Sequence, residues 1–203
     1  DYIRLGHPLS CILEWAIGGL NNLKSENVIS FSSKTTPILA VLRKNLLDNK
    51  HTQIVYTDEL PSCFDADIIK SVYGYKFDLK KVNSVSDISE YNGSTIFIAQ
   101  DAEIGQFNLT SNVDFYISID NKLGSILLVN GEQNESYISA IQHVRRRETI
   151  ALTPANTLTA LQLLVDRSSA KYPNHDDAAN KAKVFNSIKE ITTSQSKAAV
   201  ASS

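Results

Sequence analysis

Residues 28–42 read VISFSSKTTPILAVL. Ser32, Ser33, Lys34, Thr35 and Thr36 stand between a short apolar run and a proline that opens a helical pattern. Hydroxyls and free backbone N–H groups at a helix N-terminus attract anions, and the helix dipole adds to that field. Lys34 supplies a point charge. The knot therefore reads as a site for the phosphate of a small molecule. Serine and threonine are also ordinary helix caps, and the knot has no glycine for a phosphate-cradling loop or a dinucleotide fingerprint. Plain capping stays open beside phosphate binding. Asp120, at the end of the apolar run VDFYISI, joins the same candidate site.

Other polar groups carry weaker signals. Arg145, Arg146 and Arg147 are the densest positive charge in the chain. They suit the negative end of a helix, and equally a grip on phosphate or on an acidic partner. Trp15 lies off the main apolar stripe of its helix, which suggests a second buried face, covered by a partner subunit or an adjoining element. His7 and Cys11 lie four apart, but no second pair completes a metal set. Asp58, Glu59, Asp65 and Asp67 read as helix-start carboxylates, with a cation site or acidic contact surface as the alternative. His175, Asp176 and Asp177 read as a polar turn that caps a helix. No Ser-His-Asp or Cys-His arrangement is visible in local spacing. No catalytic residue, metal ligand or cofactor is assigned.

The elements that would position these groups follow from periodicity. Pro8 and the stripe Leu9, Ile12, Leu13, Ala16, Ile17 and Leu20 predict a helix over 8–23. A buried strand follows at 28–30. Thr35 or Thr36 then caps a helix that fades at Asp48-Asn49, with Pro37 in its first turn. Next come a strand at 53–56, a helix at 64–73 stopped by Gly74, and a strand at 75–79. A helical turn at 84–91 leads to the strand 95–99 and a long loop over 100–112. Strands 113–119 and 125–129 are joined by DNKLG, turn residues that suit an antiparallel hairpin. A helix at 136–147, a short strand at 149–152, and helices at 154–166 and 177–191 complete the order. The small polar tail 192–203 reads as linker or disorder.

Strands alternating with helices predict an α/β fold: a Rossmann-like, mostly parallel sheet with flanking helices and C-terminal helices appended. The sheet domain spans 1–167, and 168–203 holds a linker, a helix and a flexible tail. Ligands of such sheets sit at the carboxyl ends of the strands. SSKTT, the turn TDELPS and the polar residues after TIFIA all fall there.

Composition sets the outer bounds. A chain of 203 residues makes one domain, or one with an appendage. The formal net charge of −2 speaks against direct nucleic-acid binding. No apolar stretch is long enough for a membrane helix. The chain starts with Asp1 and has no methionine, as expected of a processed chain or an excised fragment. Cys11 and Cys63 are too few for a disulfide framework and read as two buried thiols in a reducing compartment, the cytoplasm.

VISFSSKTTPILAVL, followed by QIVYTDELP, is similar to a signature of one superfamily. It comprises the regulatory subunits of the guanine-nucleotide exchange factor for eukaryotic translation initiation factor two, with the methylthioribose-phosphate and ribose-bisphosphate isomerases. VDFYISID…LLVNGEQNESYISAIQHVRRRETIALTPA resembles its closing unit, and HPLSCILEWAIGGL a helix that precedes the sheet domain in some regulatory subunits. The resemblance covers about half the chain, in pieces. It implies that Asp120 matches the isomerases' catalytic aspartate, and that Ser32 stands where they keep a cysteine. A hydroxyl in place of the thiol speaks against catalysis. The expectation is therefore a non-catalytic regulatory or scaffolding domain of a multi-subunit complex in translation initiation, with protein subunits as partners. The alternative is an isomerase-like enzyme that binds a sugar phosphate or nucleotide, a phosphorylated small molecule, at the strand ends.

Overall fold

His7 starts the first helix, α1 (Pro8–Leu20), by accepting the Ser10 N–H on its ring while Ser10 Oγ accepts the His7 N–H. Its other ring nitrogen lies 2.7 Å from the Leu152 carbonyl, so this histidine serves as a cap and a tie. The computed structural model that shows this describes residues 6–100, 104, 105, 107–166, 168, 170–173 and 177–201. The chain divides into two units, Asp1–Tyr172 and Pro173–Ser203.

The first unit is an α/β sheet domain. After α1 come β1 (Val28–Phe31), α2 (Thr36–Leu47), β2 (Thr52–Tyr56), α3 (Ala66–Tyr73) and β3 (Phe77–Lys81). Then follow β4 (Ser94–Gln100), β5 (Phe115–Asp120), β6 (Gly124–Val129), α4 (Glu135–Glu148) and α5 (Pro154–Val165). The six strands lie in the order β1-β6-β5-β4-β2-β3. β6 runs antiparallel to both neighbours, and every other pairing is parallel. The sheet is thus mostly parallel, with flanking helices. Strands β1 and β6 are buried along their whole length, as apolar runs covered on both faces should be.

Alternation splits the core in two. Ile29, Phe31, Ile54, Ile96, Phe115 and Ile117 face α2, α3 and α4. Val28, Val55, Tyr116, Ile126 and Leu128 face the opposite way, toward Leu13 and Ile17 of α1 and Ala160 of α5. The helices are unevenly shared. The crossover from β3 to β4 holds only a 3-10 turn, Val85–Asp87, and among the described residues no helix links β4 to β5. Loop residues Val82, Val85, Ile104, Phe107 and Leu109 cover that part of the second face instead.

Several expectations shift. The third strand is two residues later than predicted, because Gly74 adopts the left-handed conformation (φ +68°) that closes α3 and the chain needs two residues more to extend. Residues 149–152 form no strand. They pass the end of β1, where Ile150 O accepts from Ser32 N at 3.0 Å and from Ser32 Oγ at 3.3 Å. In the second unit the helix, α6 (Asp177–Ala201), continues through most of the segment expected to be linker. Thr192 and Thr193 hydroxyls fold back onto the Ile188 and Lys189 carbonyls, and alanine-rich sequence favours helix. His175 and Asp176 lie outside the described residues. Both cysteines are exposed free thiols rather than buried ones. No helix among the described residues is long and apolar enough to cross a membrane.

Candidate functional site

The carboxyl ends of β1, β2, β4 and β5 share one edge of the sheet, and the amino end of β6 joins them there. At β1 the run VISF ends, and Ser32 turns toward the 149–150 segment, its Oγ 3.2 Å from Thr149 Oγ1. Ser33 Oγ accepts from Thr35 N, Thr36 N and Thr36 Oγ1 at 3.3, 3.1 and 2.8 Å. Thr35 holds the N-cap position of α2, as expected, but its side chain makes no capping bond, and Ser33 Oγ accepts the first N–H groups instead. The Ser33 carbonyl takes a bond from Ser125 Oγ at 2.5 Å, which ties the knot to β6. Residues 32–36 are half-buried, so their hydroxyls are reachable.

Lys34 leaves the knot and donates from Nζ to Asn121 Oδ1 at 2.9 Å. That contact brings the hydroxyls of α2 and the β5–β6 turn to one corner. Asp120 organises the turn: its Oδ1 accepts the Lys122 and Leu123 N–H groups at 2.8 and 3.0 Å. Its Oδ2 accepts the Tyr172 hydroxyl at 3.1 Å. Lys122 Nζ lies 4.7 Å above the Tyr172 ring. Gly124 closes the turn at φ +135°, and a Cβ there would collide with the Phe31 carbonyl oxygen. Across the same edge, Gln100 Nε2 donates to the Glu59 carbonyl and links the ends of β4 and β2.

The predicted phosphate group thus comes together: Ser32, Ser33, Lys34, Thr35, Thr36 and Asp120 line one corner. The arginines do not. Arg145 is only 7% exposed and pairs with Glu14 at 2.6 Å, so it is a core ion pair and not a surface grip. Arg146 Nη2 lies 3.3 Å from His143 Nδ1, and Arg147 is exposed. Trp15 is 69% exposed on α1, with Ile12 and Leu20 also exposed. Among the described residues no three His, Cys, Asp or Glu side chains could hold a metal ion, the acidic cluster around Asp65 included. Asp65 instead caps α3 through Ile68 N. Sequence reasoning missed Asn121 and Lys122. Their signal was local, since both follow Asp120 in the turn DNKLG.

No family model and no curated relative matches the sequence. Solved structures do. The chain matches a presumed L-allo-threonine aldolase of Listeria monocytogenes with a TM-score of 0.54 at 15% identity, over 81% of this chain and 60% of that one. It also matches a presumed histidinol-phosphate aminotransferase of Erwinia carotovora atroseptica (TM-score 0.45, 11% identity, 79% and 60% covered). A third is an alpha-aminoadipate aminotransferase of Thermus thermophilus complexed with N-(5'-phosphopyridoxyl)-L-leucine (0.38, 8%, 77% and 53%). This chain spans about 60% of the length of the aldolase.

The fold is that of the aldolase. This corrects the expected kinship with the exchange-factor and isomerase superfamily, and with it the reading as a translation regulatory or scaffolding domain and its isomerase-like alternative. The physical reason is simple. A strand ending in a polar turn before a helix is shared by many open α/β sheets, so such units do not tell one α/β superfamily from another.

Proposed function

We propose that this chain is the sheet domain of an enzyme that acts on amino acids through a carbonyl ligand bearing a phosphate, seated at the corner of residues 32–36 and the β5–β6 turn. The observation that carries the reading is the bond from Lys34 Nζ to Asn121 Oδ1. It sets a hydroxyl-rich helix start next to Lys122. Hydroxyls, a lysine and a helix dipole suit a phosphate. A second lysine offers a primary amine for an aldehyde, the usual use of lysine with carbonyl compounds. The amino-acid substrate class is carried over from the aldolase named above.

Pyridoxal phosphate fits this donor set, and when bound it supplies an electron-withdrawing ring to an amino acid's α-carbon. Ser32, Ser33, Thr35, Thr36 and Lys34 would hold its phosphate, and Lys122 would meet its aldehyde. Asp120 shapes the turn that presents Lys122, and Tyr172 braces Asp120 and lies under the lysine. Exposed free thiols at Cys11 and Cys63 agree with a reducing compartment, the cytoplasm.

The test is trapping. The protein is mixed with pyridoxal phosphate, reduced with borohydride and mapped by peptide mass spectrometry. Lys122 should label first, and pyridoxal without its phosphate should label it about tenfold less. Ser33→Ala with Thr36→Val should remove that preference. Labelling spread evenly over surface lysines, or a preference unchanged in Lys122→Ala, defeats the reading.

A further inference from the structure

The second face of the sheet, where the β3–β4 crossover lacks a helix, holds a cavity of about 290 Å³. Thr57, Phe97, Ala99, Phe107, Tyr116 and Ser118 form much of its wall. Phe97 sits in an inner strand yet is only half-buried, while Ile96 and Ile98 on either side of it are buried. The ring faces the cavity that a crossover helix would otherwise fill. Phe97 and Phe107 both meet Tyr116 edge-on, at 6.0 and 5.9 Å between ring centroids. The Tyr116 hydroxyl accepts from Thr110 N at 2.7 Å and donates to Asn108 O at 3.2 Å, so this aromatic wall is fixed in place.

Polar groups converge on the same space. The side chains of Asn83, Asn108 and Ser118 line it and make no hydrogen bond among the described residues. Among the described residues no acidic or basic side chain lines it. From this described lining a charged ligand would gain no counter-ion for the water it loses, which is costly. A neutral ring would gain edge and face contacts with three aromatics, and its polar atoms could pair with two amides and a hydroxyl. The volume is roughly twice the ~150 Å³ of an apolar cavity that admits benzene. The location agrees too. The chain passes from β2 outward to β3 and returns inward to β4, and open α/β sheets bind ligands outside the carboxyl ends of their strands at such reversals.

We infer that this cavity is a binding site for an uncharged bicyclic ring compound with a hydrogen-bonding edge. It is separate from the Lys122 corner, since neither Lys122 nor any of residues 32–36 lines it.

Indole is the probe. Titrated into the intact protein and followed by backbone amide NMR, it should bind saturably, with the largest shifts at Thr57, Ala99 and Ser118. Indole-3-acetate, the same ring with a carboxylate, should bind at least about tenfold more weakly. Ala99→Phe, which fills the cavity, should abolish binding. If that variant fails to fold, Asn83→Ala with Asn108→Ala decides the matter, with an expected loss of about tenfold. Absence of saturable binding, shifts that map elsewhere, equal affinity for the carboxylate, or undiminished binding in a folded variant would each overturn the inference. None of these readouts involves Lys122, so the fate of the corner site does not affect the result.

Discussion

At one edge of the sheet, β1 turns the N–H and C=O of Ser30 outward and meets Glu14 of α1 and Arg145 of α4. Glu14 Oε1 accepts from Ser30 N at 2.9 Å and from Ser30 Oγ at 2.7 Å, and Arg145 Nη1 donates to Ser30 O at 3.3 Å. The two side chains pair with each other at 2.6 Å. A helix from each face thus reaches round the edge and closes it. At the other edge, β3 leaves Asp78, Leu79, Lys80 and Lys81 exposed. Among the described residues no such clamp covers it, and exposed charge discourages another strand from pairing there. One edge is closed by buried structure and is expensive to break. The other is protected by repulsion and cheap to alter.

The comparison breaks most sharply at Arg145. Arg145→Met leaves Glu14, whose side chain is only 13% exposed, without its charged partner and should cost about 3–5 kcal/mol in urea unfolding. Adding Glu14→Leu should recover most of that loss, because the stranded charge goes with it. A single mutant within about 1 kcal/mol of wild type would mean that the clamp contributes little. Next in size is Gly124→Ala, at the turn that feeds β6 into β1. Its φ of +135° and the Phe31 carbonyl beside it predict a loss of about 1–3 kcal/mol in the same measurement.

Tyr137, on the other end of the helix that carries Arg145, gives a smaller effect with a pH signature. Its hydroxyl donates to Asn45 Oδ1 at 2.6 Å, and burial pushes its pKa up to about 12. An unfolded tyrosine ionises near pH 10, so above that pH the unfolded state sheds a proton that the folded state keeps. Stability conferred by Tyr137 is complete below pH 10 and declines as pH rises toward 12. Tyr137→Phe should cost about 1 kcal/mol at neutral pH and flatten that alkaline decline. An unchanged alkaline slope in the mutant would assign the decline to other groups. Smallest for stability is Lys80→Ile with Lys81→Val, expected within about 0.5 kcal/mol of wild type. Light scattering should nevertheless show self-association, and a mutant that stays monomeric would mean that β3 needs no charge to guard it.

The legible parts of this molecule were local. VISF followed by hydroxyls and proline announced a strand, a cap and a helix, and the carboxyl-edge position of SSKTT followed from that order. DNKLG announced the antiparallel hairpin of β5 and β6. What escaped was long-range. Glu14 and Arg145 are polar residues far apart in sequence, and nothing near either one tells of the other. Arg145 looked like surface charge because two exposed arginines follow it. The apolar residues of 149–152 suggested a strand, when they serve to cover one. The family resemblance failed for the same reason, since its motifs were single strand–turn–helix units, while the strand order β1-β6-β5-β4-β2-β3 is set by long-range pairing.

That strand order has a consequence for how the chain is made. Val28 of β1 pairs with Leu128 of β6, one hundred positions later. At ~5–20 residues per second of synthesis, β1 waits about 5–20 s for its only neighbour to emerge. Until then β1 can pack against α1 and α2 but has no strand to pair with, while β2 and β3 can already pair. The edge clamped by Glu14 and Arg145 is thus the last to close on the ribosome and the part most exposed to chaperones on the way.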